Sequence, residues 1–298
     1  MAGLHATLGA MSVRAAPESL RQLIQQAVPE AAFRAFCEQM ERCQPAFKLP
    51  AFLGAFTATA RTLGRKALEA DEVSLTGASG DLPLAGTTTD CAGRMLLLYT
   101  LAQAAPEQLP AAVQAAYDEG DSQEKLAVMR ALPLLPQGER FVELALDVGR
   151  CNELDLFCAL ATRNPFASRH YNELAWNKLY MKAVFLDVPL TQMIGVEQRN
   201  NAELSRMALE YVEQQESAGR RFPNEIWLVI AAVPPPGAIG KLLGYLSHAV
   251  PELRLGAAAG LERAAQARTR SFVQERAGVE SDERVRTVLE RALQKLGQ

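Results

Sequence analysis

Histidine is scarce in this chain. There are three in 298 residues, His5, His170 and His248, far apart and never in an HxxxH spacing. A histidine-centred metal site therefore has no visible ligand set. The five cysteines, Cys37, Cys43, Cys91, Cys151 and Cys158, are odd in number and form no CxxC. In a long helical chain they read as reduced, buried thiols, with a Cys37–Cys43 pairing left open. No charge dominates: 31 Lys and Arg against 34 Asp and Glu leave a net −3. No overall basic field therefore draws nucleic acid or an anionic membrane. Arg263, Arg268, Arg270 and Arg276 cluster, but acidic residues follow and the group reads as a solvated helix face. No apolar run reaches the roughly 18–20 residues that a membrane-spanning helix needs; the best, residues 226–233, stops at Pro234, Pro235 and Pro236. GxGxxG after a strand, the P-loop, the GxSxG elbow and the DDxxD motif of magnesium-dependent prenyl diphosphate enzymes are all missing. Neither a cofactor nor a metal is expected.

What is present is helical rhythm. Leu20, Leu23, Ile24, Ala27 and Val28 form one apolar stripe, Phe33, Phe36, Cys37 and Met40 a second, and Phe52, Phe56 and Leu63 a third within 51–69. Pro17 and Pro29 suit first-turn positions. Asp90 is expected to cap a helix reaching Ala105, Asp121 to open another with a capping box to Glu124, and Ser281 to cap the last. A long helix is expected over 168–186. Residues 71–89, rich in Gly, Ser and Thr, form either a loop or a small hairpin. The fold class is all-α, built of antiparallel helix pairs in an irregular HEAT-like α-solenoid or bundle. Residues 1–16 read as a flexible tail, 17–232 as one helical domain, and 237–298 as C-terminal HEAT-like helices with small residues at their contacts.

The unusual chemistry concentrates in 163–201. Arg163, Asn164, His170, Trp176, Asn177, Lys178, Lys182, Arg199 and Asn201 fall in this short region. Lys178 and Lys182, four apart on one helix, repel unless an acidic side chain or a bound anion offsets them, and Arg163 and Arg199 flank that helix. Asn164 before proline and Asn200-Asn201 before a helix suit stop and cap positions. Asn177, inside a helix, needs partners from a neighbouring helix or a ligand. Trp176, Tyr180 and Phe185 read as core. His170 is the candidate acid or base, with Glu173 or Asp155 as the only carboxylates to orient it. Cys158 sits on an apolar face, poorly placed for a nucleophile.

The same stretch, residues 153–190 with 194–222, resembles the EboA family. Asn164, Pro165, Tyr171, Trp176, Asn177, Lys182, Ala183, Pro189, Leu190, Arg199, Asn201 and Leu204 carry the resemblance, and Leu132 to Arg140 fits as well. It covers about residues 130–230. It implies a component of a bacterial gene cluster for secondary-metabolite production or export, in company that includes a UbiA-type prenyltransferase, and it supplies no catalytic residues. The expected function is an accessory protein that binds a partner protein or a small metabolite of its pathway. The expected setting is the cytoplasm, with access to the inner membrane through a partner such as a membrane prenyltransferase. The alternative is an enzyme on a phosphorylated or prenylated intermediate, with Lys178, Lys182, Arg163 and Arg199 clamping an anion and His170 moving a proton.

Overall fold

The computed structural model describes residues 12–43 and 47–297, and within them the protein is all-α with one small sheet. By packing, the chain divides between Asn172 and Glu173, inside the 17–232 span that sequence pattern alone joins into one domain. The first unit contains α1 (Ala16–Ala27), α2 (Glu30–Arg42), α3 (Leu49–Leu63), α4 (Thr89–Ala104), α5 (Leu109–Asp118), α6 (Ser122–Ala131), α7 (Val142–Arg150), α8 (Leu154–Ala161) and α9 (Phe166–His170). The second contains α10 (Glu173–Phe185), α11 (Val196–Arg199), α12 (Ala202–Ser217), α13 (Ile226–Ala232), α14 (Ala238–Tyr245), α15 (Pro251–Ala264), α16 (Arg270–Val279) and α17 (Glu283–Lys295).

In the first unit, α4 is the central element: α1, α3 and α6 pack on it, and α6 in turn carries α8. Its burial on nearly all sides matches its composition, with Met95, Leu96, Leu97, Leu98 and Leu101 all enclosed. The apolar stripes on α1 to α3 face inward through Leu20, Leu23, Ile24, Phe36, Met40, Phe52, Phe56 and Leu63. The third helix is shorter than expected, because Gly64 takes a left-handed φ of 71° and ends it. The Gly/Ser/Thr-rich segment is a hairpin. Strand β2 (Val73–Gly77) pairs antiparallel with β3 (Gly80–Pro83), placing buried Leu75 opposite buried Leu82. Strand β1 (Ser12–Ala15) lies parallel to β2 in the register Ser12 to Val73, so the end of the expected tail is sheet; residues 1–11 lie outside the described residues.

The hairpin tip rests on the 3-10 turn Leu132–Leu134. The Ser79 N–H donates to the Pro133 carbonyl at 3.0 Å, and a Cβ on Gly77 would stand 2.3 Å from that same oxygen. Gly77→Ala is expected to cost about 1–3 kcal/mol by forcing the tip away from this turn. A urea midpoint equal to wild type would show that the contact is loose.

Three local expectations are corrected. Thr88, not Asp90, is the N-cap of α4, and Asp90 points inward from the first turn. Asp282, not Ser281, caps α17, accepting from the Arg284 and Val285 N–H groups. The helix expected over 168–186 is two helices, because Tyr171 is extended (φ −73°, ψ 144°). No glycine or proline marks that break; it falls where one packing unit gives way to the other. The Asp121–Glu124 capping box is present.

In the second unit, α15 packs against α13, α14 and α17. Its Gly256 and Gly260 permit the approach: a Cβ on either would lie 2.9 Å from Asn224 or Leu242. Phe185 is exposed at 74%, contrary to a core placement, while Trp176 and Tyr180 are buried.

Candidate ligand-binding site

Where β3 leaves the sheet, the chain turns through Leu84 to Thr88 into α4. Gly86 supplies the left-handed residue of that turn (φ 75°), closed by the Thr87 N–H donating to the Leu84 carbonyl at 2.9 Å. Leu68 N–H donates to the Thr87 carbonyl, so the loop backbone is held. The Thr87 hydroxyl is different: the residue is 4% exposed and its Oγ1 has no hydrogen-bonding partner. Thr88 and Thr162 are occupied, donating to Asp90 Oδ1 and to the Cys158 carbonyl.

This loop forms one wall of a cavity of about 290 Å³. The others come from Cys91 of α4, from Gln123, Leu126 and Arg130 of α6, and from Asp155, Cys158, Ala159 and Thr162 of α8, with Arg163 beyond. Arg163 adopts a left-handed φ of 49°, a conformation that costs a side-chain-bearing residue of order 1 kcal/mol or more and needs support. Arg130 supplies it: one terminal nitrogen donates to the Arg163 carbonyl at 2.7 Å and the other to the Pro83 carbonyl. Arg163 Nη1 makes a long 3.4 Å contact to the Ala85 carbonyl. Among the described residues no carboxylate lies within 4.0 Å of either guanidinium. Burial, with the positive charge of Arg163, lowers the Arg130 pKa against the opposing effect of Cys91. Burial pushes the Cys91 thiol up to about 11 and raises Cys158 as well, so both stay protonated near neutral pH. The chemistry on offer is binding by cations and a hydroxyl rather than nucleophilic attack.

The sequence-predicted residues separate into distinct settings. Asn164 is buried and fully used: its amide donates to the Met129 and Ala159 carbonyls at 3.0 and 2.8 Å, and its Oδ1 accepts from the Phe166 N–H at 2.9 Å. It ties α6, α8 and α9 together and thereby positions its neighbour Arg163. His170 does not line the cavity. Its Nε2 is 2.9 Å from Ser79 Oγ, its ring lies on Phe166, and a Cβ on Gly138 would strike it at 2.4 Å. Burial lowers its pKa, with Glu139 opposing.

Trp176, Asn177, Arg199 and Asn201 meet in the second unit. The amides of Asn177 and Asn201 exchange two hydrogen bonds at 3.1 and 2.9 Å, so Asn177 finds its partner on a neighbouring element rather than in a ligand. Asn201 Oδ1 also accepts the Leu204 N–H and caps α12. The Arg199 guanidinium lies 5.5 Å from the Trp176 ring centre. Lys178 is exposed and Lys182 half-buried. Asn201→Ala removes the cap and orphans the buried Asn177 amide, and is expected to cost about 2–3 kcal/mol. Asn201→Ser should recover the cap share only, about 1 kcal/mol. Equal urea midpoints for all three proteins would rule out this coupling.

Sequence reasoning missed Thr87, Cys91 and Arg130 as site residues, and grouped Arg163 with Lys178, Lys182 and Arg199, which belong to the second unit and do not line this cavity. The Gly-Thr-Thr-Thr run was the available signal. The family described as Metabolite traffic protein EboA matches residues 16–231. The chain belongs to the EboA family. The matched span includes every residue of the cavity and of the amide–indole cluster. No curated protein and no solved structure matches this EboA-family chain. No helix among the described residues is long and apolar enough to cross a membrane.

Proposed function

We propose that this EboA-family protein binds a small metabolite of its pathway in the first-unit cavity and passes it on unchanged. The observation that carries the reading is the buried Thr87 hydroxyl, left without a protein partner on the wall of a space of about 290 Å³. A buried polar atom of this kind costs stability unless something fills its hydrogen bond. The volume sits near the lower end of the range for small-ligand pockets. The family description, metabolite traffic, fits this reading. Transfer without reaction agrees with two protonated thiols in the cavity and a His170 held outside it by Ser79 and Phe166. The recipient is another protein of the same pathway, and any association with the inner membrane runs through that partner.

The test is untargeted mass spectrometry of small molecules that co-purify with the native protein, compared with an Ala159→Phe variant whose added ring fills the cavity. A compound retained by wild type and lost from the folded variant is the expected result. The same compounds on both proteins, or none on either, would refute the cavity as the carrier site.

A further inference from the structure

We infer that the cavity recognises a phosphate group, a mono- or diphosphate on its ligand, with Arg163 and the Thr87 hydroxyl touching the oxygens and Arg130 positioning Arg163. The inference rests on the carrier reading and names the chemistry of its ligand.

Two cationic settings of the first unit, one buried and one half-buried, make the contrast. Arg94, 1% exposed, is compensated by Asp90 at 2.7 Å and Glu124 at 3.7 Å. Arg130 and Arg163 have no such partner, yet Arg130 donates to the Arg163 carbonyl at 2.7 Å and both side chains line one cavity. Like charges gathered in a partly desolvated space are costly unless an anion joins them. Asp155, on the exposed first turn of α8, is the one carboxylate on the lining, so the walls keep a net positive charge.

The donors point to a division of labour. Both terminal nitrogens of Arg130 are taken up by the Arg163 and Pro83 carbonyls, so its work is to fix the left-handed Arg163 backbone and add charge. Arg163 spends one N–H on a long contact to Ala85, which leaves the rest of its planar fork for a ligand. Thr87 lines the same space and adds a buried hydroxyl that no protein group uses. Two cationic charges with a fork and a hydroxyl match the charge and the several oxygens of a phosphate dianion better than a single carboxylate.

The experiment is isothermal titration of the full chain with inorganic phosphate, inorganic pyrophosphate and, as the carboxylate arm, acetate. Phosphate or pyrophosphate is expected to bind, and acetate to bind at least about tenfold more weakly. Arg163→Gln should weaken the phosphate ligand by about tenfold or more, and Thr87→Val by about three- to tenfold. Arg163→Lys, which keeps the charge but loses the fork, should fall between wild type and Arg163→Gln. Arg130→Met should weaken binding and also loosen the loop at Arg163, read as faster amide exchange at Arg163 and Asn164. Lys178→Gln should change nothing. Thr87→Val, which keeps the side-chain shape, serves if the arginine variants fail to fold. Phosphate binding that is absent, or indifferent to Arg163→Gln and Thr87→Val, would overturn the inference. If a neutral compound co-purifies and Ala159→Phe displaces it while no phosphate binds, the carrier reading stands and the phosphate assignment falls. If nothing occupies the cavity at all, both fall.

Discussion

Arg94→Met is expected to lower the stability of the first unit by about 3–5 kcal/mol, the usual loss when one member of a buried ionic cluster is removed. Arg94 lies on α4 at 1% exposure, and its charge is answered from three directions. Nη1 donates to Asp90 Oδ2 at 2.7 Å, Nε donates to the Phe56 carbonyl at 3.2 Å, and Glu124 Oε1 stands 3.7 Å from Nη2. The Phe56 ring lies 5.6 Å from the guanidinium carbon. Methionine replaces the aliphatic stem and removes the charge, so packing is largely kept. What remains is a pair of buried carboxylates, Asp90 and Glu124, which keep the Thr88 hydroxyl and the Asp121 N–H as donors but whose nearest cation is the exposed Arg65 at 3.6 Å from Asp90. Glu124 is also part of the α6 capping box, so its displacement would loosen the helix that carries Arg130. Urea unfolding followed by circular dichroism checks the expectation. Arg34→Met, which breaks only the exposed pair with Glu30, is the control and should leave the midpoint in place. Adding Asp90→Asn to Arg94→Met should recover part of the loss, because one stranded charge is gone. A midpoint for Arg94→Met that matches the Arg34→Met control would show that the network contributes nothing.

Glu280→Gln should cost about 3–5 kcal/mol near neutral pH, and this loss should vanish in acid. Glu280 is 3% exposed and receives Arg254 in a two-pronged contact at 2.7 and 2.9 Å, with Arg276 at 2.6 Å and the Asp282 N–H at 2.8 Å. The Arg254 hydrogen bonds, opposed by burial and helped by the Asp282 N–H and Arg276, hold its carboxyl down to about 2 from the ordinary 4.5. The folded state therefore keeps Glu280 ionised where the unfolded chain would protonate it. Stability from this group is fully present above 4.5 and is lost as pH falls toward about 2. The stability gap between wild type and Glu280→Gln should be constant from about pH 7 to about pH 5, then close as pH falls. A gap of equal size at about pH 6 and about pH 3 would show that the carboxylate charge is not what the second unit uses.

Much of the fold was legible because its rules are local. The apolar stripes of α1 to α3 repeat at helical spacing within a few residues, and Asp121 meets Glu124 three positions on. The Tyr171 break was illegible for the opposite reason. Nothing in Arg169-His170-Tyr171-Asn172 forbids helix, and the break coincides with the division between the two packing units. The hairpin stood between two local alternatives, decided by Leu75 and Leu82 going inside together and by the tip finding Pro133. In the candidate site, Arg163 was legible as an unusual cation beside Asn164-Pro165. Its companions were not, since Arg130 stands 33 residues before it and Ala85 stands 78.

The sequence by itself determined the helical class, the stripes that face inward, the caps at Asp121 and Asn201, and kinship with the EboA family. Only the tertiary structure decided which polar residues are already satisfied and which are left over. Asn164, Asn177 and His170 looked available and are bonded to protein, whereas Thr87 looked ordinary and is buried with its hydroxyl unused. Whether a side chain has a partner depends on atoms brought within about 3 Å from distant parts of the chain, and the spacing of residues along one helix carries no record of that.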